Sequence, residues 1–219
     1  MKHITYYFII CFVSLLCFSC KSKEKKAEEL IRTELSKTMY DFDSYQPIET
    51  KVSVAKCGMF NDTACWRLGK TLAYGMEQFL EYKEKIEEAR AHMNIWGRPS
   101  YYSSSYSDNQ YYKYKAQGED AVALAMASLL VNKQIADELK DSINALDTTQ
   151  VIGWEVIHDF RCKTRGGSPE IGHYRYVISR DFKTVYICED TEDARDKHTR
   201  EALETILTDY WDMDAPDTE

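Results

Sequence analysis

Ile152-Gly153-Trp154-Glu155-Val156-Ile157-His158-Asp159-Phe160-Arg161-Cys162 alternates in character from one residue to the next. In an extended chain Ile152, Trp154, Val156, Phe160 and Cys162 fall on one face, and Glu155, Asp159 and Arg161 fall on the other. The stretch predicts a strand with one face on a core and one face charged. His158 lies on the mostly apolar face, where a packed, hydrogen-bonded histidine is the expected reading rather than a catalytic base. Downstream, Lys163-Thr164-Arg165-Gly166-Gly167-Ser168-Pro169 predicts a flexible turn. Gly172 to Ser179 then places Tyr174, Tyr176 and Ile178 opposite His173, Arg175 and Val177. Arg180-Asp181-Phe182-Lys183 makes a tight connection to a last strand over Thr184 to Cys188. Three strands with short links predict an antiparallel meander. A helix capped by Asp190 or Thr191 and running to about Trp211 presents Ala202, Leu203, Ile206, Leu207 and Tyr210, and is expected to cover the sheet.

Upstream, Thr50 to Lys56 alternates with Val52 and Val54 on one side and predicts a first strand. Asp41 to Ile48 holds Asp, Ser and Pro and reads as a turn. Lys25 to Met39 carries Ala27, Leu30, Ile31 and Leu35 at helical spacing. Between the first strand and the meander lie two long helical patterns. One, capped by Asp62 or Thr63, reaches about Trp96 with Leu68, Leu72, Met76, Phe79, Ile86 and Met93 inward. The other spans Gly118 to Leu146, and Asn132 is the one polar residue on its apolar seam.

The predicted class is α+β. A small antiparallel sheet consists of the first strand and the C-terminal three-stranded meander, with a long helical hairpin (62–147) inserted and a C-terminal helix packed on the sheet. The domain spans 27–211, with an acidic tail at 212–219. The hairpin's connection (98–117) contains Tyr101, Tyr102, Tyr106, Tyr111, Tyr112 and Tyr114 among serines. Two readings stand for it: a disordered, low-complexity loop, or an adaptable contact surface built from Tyr and Ser.

The N-terminus speaks to location. Lys2 and His3 precede an apolar run from Ile4 to Leu16, then Cys17-Phe18-Ser19-Cys20 and the polar Lys21-Ser22-Lys23-Glu24-Lys25-Lys26. The run is shorter than the ~20 residues of a spanning helix, and a processing-like site follows it. This order predicts a bacterial lipoprotein signal at 1–19 and a lipidated Cys20 followed by a tether over 20–26. Plain secretion and a retained anchor are the competing readings, and Cys17 stands at the position where lipoprotein signals usually carry Leu. Two or more acyl chains give stable anchoring, each buried CH₂ adding about 0.8 kcal/mol.

Removing the signal leaves 27 basic and 36 acidic residues, a formal charge of 27 − 36 = −9, because Lys2 is the one charged residue removed. Glu189 to Glu219 carries twelve acidic and three basic residues, so the excess sits at the C-terminal end. Such a balance argues against nucleic acid as a partner. Beyond Cys11, Cys17 and Cys20 there remain Cys57, Cys65, Cys162 and Cys188. An even number outside the cytoplasm suggests disulfides. The pairing preferred among the three is Cys57 with Cys65 and Cys162 with Cys188. These four form no close Cys-x-x-Cys pair, and the chain has no phosphate-binding glycine loop and no H-E-x-x-H, so neither a metal nor a cofactor is expected. Arg161 and Arg175 read as members of a solvated charge ladder across the sheet, or as an anion site.

Asp41-Phe42-Asp43-Ser44-Tyr45-Gln46-Pro47-Ile48 resembles a D-P-x-S-Y-x-P-type turn. His158-Asp159-Phe160-Arg161-Cys162-Lys163 resembles an H-x-[YF]-R-x-K hairpin. Both belong to an uncharacterised family of secreted or lipid-anchored proteins of Bacteroidetes, with Phe42 here replacing the Pro. The resemblance implies an α+β domain with a helical insertion, and no activity. The expected function is a non-enzymatic binding or structural module, held on the bacterial envelope (outer membrane, periplasmic face) by lipid on Cys20, with an unidentified protein or glycan partner. The alternative is a hydrolase-like enzyme using His158, Arg161 and Arg175.

Overall fold

The structure, a computed structural model, describes residues 22–206. The signal segment, Cys20, residues 207–211 of the expected last helix and the acidic tail lie outside the described residues. The chain divides into two compact units. One comprises residues up to 57 together with 149–192; the other comprises 58–148 together with the residues from 193 on. The division falls close to the expected insertion.

The first unit begins with α1 (Lys23–Thr38), a short 3-10 turn (Phe42–Ser44) and β1 (Gln46–Lys56). It resumes with β2 (Val151–Lys163), β3 (Pro169–Ser179) and β4 (Val185–Asp190). The strands form one antiparallel sheet in the order β1-β2-β3-β4, so the architecture is α+β as expected. Ser22 caps α1 by accepting from the Lys25 N–H. Ala27, Ile31 and Leu35, four residues apart, come to one face and pack on Tyr45, Val156, Phe160, Tyr176 and Ile178. Burying the Ile, Leu, Val and Phe side chains among these contributes about 1.5–3 kcal/mol each. Gly172 sits opposite Phe160 across the sheet, and a Cβ there would strike the phenyl ring. β1 begins earlier than its alternation predicts, because Tyr45 and Ser44 tie its start to β2: the Ser44 hydroxyl accepts the Lys163 N–H at 2.8 Å.

The second unit holds α2 (Thr63–Trp96), α3 (Ser105–Asn144) and α4 (Ala194–Ile206). Asp62 caps α2, its carboxylate accepting from the Ala64 and Cys65 N–H groups at 2.9 Å. The two long helices form the expected hairpin. Phe79, Ile86, Ala121 and Ala125 are buried between them. Gly75 lets α3 approach closely, since a Cβ at Gly75 would coincide with the Asn132 side-chain oxygen. Asn132, the polar residue on the apolar seam, is buried at that crossing. Ala202, Leu203 and Ile206 of α4 are buried. Leu203 rests against Gly69 of α2, where a Cβ would lie 2.8 Å from Leu203 Cγ. The closing helix thus runs along α2 in this unit. The helix packed on the sheet within the first unit is α1.

The structure moves one predicted boundary far. The segment 98–117 is not a loop: α3 starts at Ser105, and only Gly97 to Ser104 connects the helices. The Ser104 hydroxyl accepts the Ser107 N–H, and Asp108 lies in the first turn, where a carboxylate suits the helix dipole. The tether also shortens, because α1 already begins at Lys23.

Candidate functional site

The most exposed aromatic surface is the tip of the hairpin. α2 ends where Gly97 turns with φ 67°, its N–H donating to Met93 O. The Ser103 hydroxyl bridges the turn, lying 2.7 Å from Ser100 O and 2.5 Å from the Asp108 carboxylate. The tyrosines then divide by partner. Tyr106 meets the Trp96 ring edge-on, with centroids 5.5 Å apart, and Tyr114 stacks on His92 at 4.1 Å. Those two fasten α3 to α2. Tyr111 is half-buried and touches Tyr112 edge to face. Tyr101 and Tyr102 are 96% and 93% exposed, and Ile95, near the end of α2, is 71% exposed. Tyr112 is exposed as well. Trp96 and His92 were not read as part of this surface from sequence. Their spacing of four, matched by Tyr106, Gln110 and Tyr114 on the facing helix, was the available signal.

The groups weighed for chemistry are not brought together. His158 points to the α1 side of the sheet and is fully buried. Its Nε2 is 2.9 Å from the Tyr45 hydroxyl and its Nδ1 is 2.9 Å from the Thr50 hydroxyl. Burial lowers its pKa from 6.5 to about 4, so the ring is neutral. Burial likewise raises the Tyr45 hydroxyl to about 12. This is a satisfied core histidine, with both nitrogens occupied by neutral hydroxyls.

Arg175 points to the opposite face of the sheet. It pairs with Glu189 at 3.0 Å and with Glu155 at 3.2 Å. A guanidinium shared by two carboxylates has its charge already answered. Arg161 is exposed and is not its neighbour. Arg175 lies opposite Ile157, four residues short of Arg161 on β2, which is about 13 Å along a strand. The proposed two-arginine anion fork is therefore not formed, and His158 lies on the other side of the sheet from both. The ladder is real but partly buried: Arg175 and Glu189 are inaccessible, while Asp159 and His173 pair at 2.9 Å nearer solvent.

No disulfide joins Cys57, Cys65, Cys162 and Cys188 in the structure. Register explains why the expected second pair is absent. Cys188 is opposite Tyr176, which is opposite Val156, and Cys162 lies six residues farther along β2. That offset is roughly 20 Å, against a limit of about 7 Å between the Cα atoms of a bridge. In the first pair, Cys65 is turned into the buried face of α2. Burial raises the Cys162 thiol pKa, the opposite of an activated nucleophile. Among the described residues no cluster of His, Cys, Asp and Glu has the geometry to hold a metal ion, and no helix is long and apolar enough to cross a membrane. Two shallow grooves flank the hairpin. One, of about 410 Å³, is lined by Lys85, Glu88, Tyr114 and Asp120; the other, of about 340 Å³, by Tyr74, Tyr82, Leu124 and Val131. No protein-family model, no curated protein and no solved structure matches the chain.

Proposed function

We propose that this chain is an envelope-anchored lipoprotein that binds a protein or glycan partner through the tip of its helical hairpin, without catalysing a reaction. One observation carries the binding half of this reading: Tyr101 and Tyr102, more than nine-tenths exposed, lie in the connection between two helices held together by Trp96–Tyr106 and His92–Tyr114, and Ile95 and Tyr112 on those helices are exposed as well. Large amphipathic rings left in water are what binding sites use. They bury much area on contact, lose little side-chain entropy and keep a hydroxyl for hydrogen bonding. The anchoring half is supported by the order of residues around Cys20. The absence of an acidic cluster directly after Cys20 favours the periplasmic face of an outer membrane.

The test is in-cell crosslinking with mass spectrometry, comparing wild type with the triple variant Tyr101→Ser, Tyr102→Ser, Tyr112→Ser. Exposed substitutions change stability by about 0.5 kcal/mol or less, so the melting temperature should hold while one set of crosslinked partners disappears. An unchanged crosslink profile rejects the tip as the contact surface.

A further inference from the structure

We propose that the end of the sheet unit where α1 begins is a docking face for an anionic lipid bilayer. The inference rests on the reading that Cys20 carries the lipid, and it adds which surface the lipid brings to the membrane. α1 begins at Lys23. From Cys20 to the helix is three residues, at most about 11 Å of chain even when fully extended. A folded body on so short a leash is held against the headgroups, so the composition of that end matters.

That end is cationic and aromatic. Lys23 and Lys26 are exposed in the first turn of α1, with Lys25 between them. Lys23 Nζ lies 3.9 Å from the centre of the Trp154 ring, and Lys26 Nζ lies 6.0 Å from that of Phe182. Trp154 stacks on Phe182 at 5.7 Å, and its indole N–H donates to Arg180 O at 3.1 Å. Phe182 adopts φ 59°, a conformation unusual for a residue with a side chain. Ser179 holds the turn there, its hydroxyl accepting the Lys183 and Thr184 N–H groups. Arg180 and Lys183 of this turn are exposed, and the Arg180 guanidinium donates to Val151 O. The acidic residues in the same two segments are Glu24 and Asp181, and Lys183 lies 3.5 Å from the Asp181 carboxylate. Five cations against two carboxylates is the reverse of the whole chain's formal charge of −8. Lys and Arg near an anionic surface gain about 1 kcal/mol each, and Trp suits the headgroup boundary. No covalent step is involved. The lipid supplies the hold, and the patch supplies the orientation.

The experiment is lysine acetylation footprinting of the full protein purified from the envelope and placed in vesicles of phosphatidylcholine alone or mixed with phosphatidylglycerol. The mass of the N-terminal peptide is read in the same digest. The expected result is an acylated N-terminal peptide and, in the phosphatidylglycerol vesicles only, protection of Lys23, Lys26 and Lys183 by about fivefold, the equivalent of 1 kcal/mol. High salt should reverse it. Lys37 and Lys163, at the other end of α1 and of β2, should be modified equally in both vesicles. The triple variant Lys23→Glu, Lys26→Glu, Lys183→Glu should stay acylated, and Lys25, the remaining lysine of the patch, should then be modified equally in both vesicles. An acylated protein with equal modification in both vesicles overturns the docking face and leaves the anchor standing. A protein without acyl mass that still shows phosphatidylglycerol-dependent protection overturns the anchor and upholds the face. Neither acyl mass nor protection overturns both.

Discussion

At the scale of single residues, His158 shows how a burial pattern becomes a chemical property. Its place on the even-numbered face of β2 follows from alternation alone, and that face is the one α1 covers. Its two partners were not legible, because Tyr45 and Thr50 lie 113 and 108 residues away in the sequence. The consequence is a pH dependence of definite sign. The native pKa is about 4 and the ordinary value is 6.5, so between these values the unfolded chain binds the extra proton. Neutral His158 therefore contributes stability that is fully present above pH 6.5 and is lost as pH falls towards 4, on the order of 2–3 kcal/mol. Urea midpoints measured at pH 7 and pH 4.5 should show this slope. His158→Leu should flatten it, and should cost about 1–3 kcal/mol at pH 7 because the buried Tyr45 hydroxyl and the half-buried Thr50 hydroxyl lose their partner. An identical slope in the variant would remove His158 from the account. Arg175 gives the same lesson with charge: β3 alternation puts it on the odd face, but its pairing with Glu189 depends on the β3–β4 register, which no local pattern states.

At the scale of elements, regular alternation and regular three-four spacing were readable, and composition misled. The four strands, α1 and α2 lie where periodicity puts them to within a few residues. α3 begins thirteen residues earlier than its aliphatic seam suggests, at Ser105 rather than Gly118. Tyr and Ser runs look like loop when only aliphatic residues are counted. Here Tyr106 and Tyr114 continue the seam upstream by packing on Trp96 and His92. The cap at Ser104 makes the early start testable. Ser104→Ala should cost about 0.5–2 kcal/mol and raise hydrogen exchange over residues 105–112, with no change beyond Gly118. A second change probes the seam itself. Gly75→Ala places a methyl on the Asn132 oxygen, and overpacking of this kind costs about 1–3 kcal/mol. A variant that melts with wild type would show that the helices do not approach closely at Gly75.

At the scale of the whole molecule, a body that folds by ordinary burial is joined to the proposal that lipid on Cys20 sets its location. One unit is a four-stranded sheet covered by α1; the other is a hairpin with α4 along it and an aromatic tip. Neither brings His158, Arg161 and Arg175 together, and both offer surfaces suited to contact: exposed tyrosines on one, and a basic, aromatic end at the start of α1 on the other. No disulfide joins the four cysteines, and for Cys162 and Cys188 the strand register sets a separation that an even count could not reveal. The most direct measurement is metabolic labelling with an alkyne analogue of palmitate, followed by click detection in wild type and in Cys20→Ala. The account predicts a labelled, membrane-sedimenting wild type and an unlabelled variant. An unlabelled wild type, or a variant that keeps its label, would contradict it.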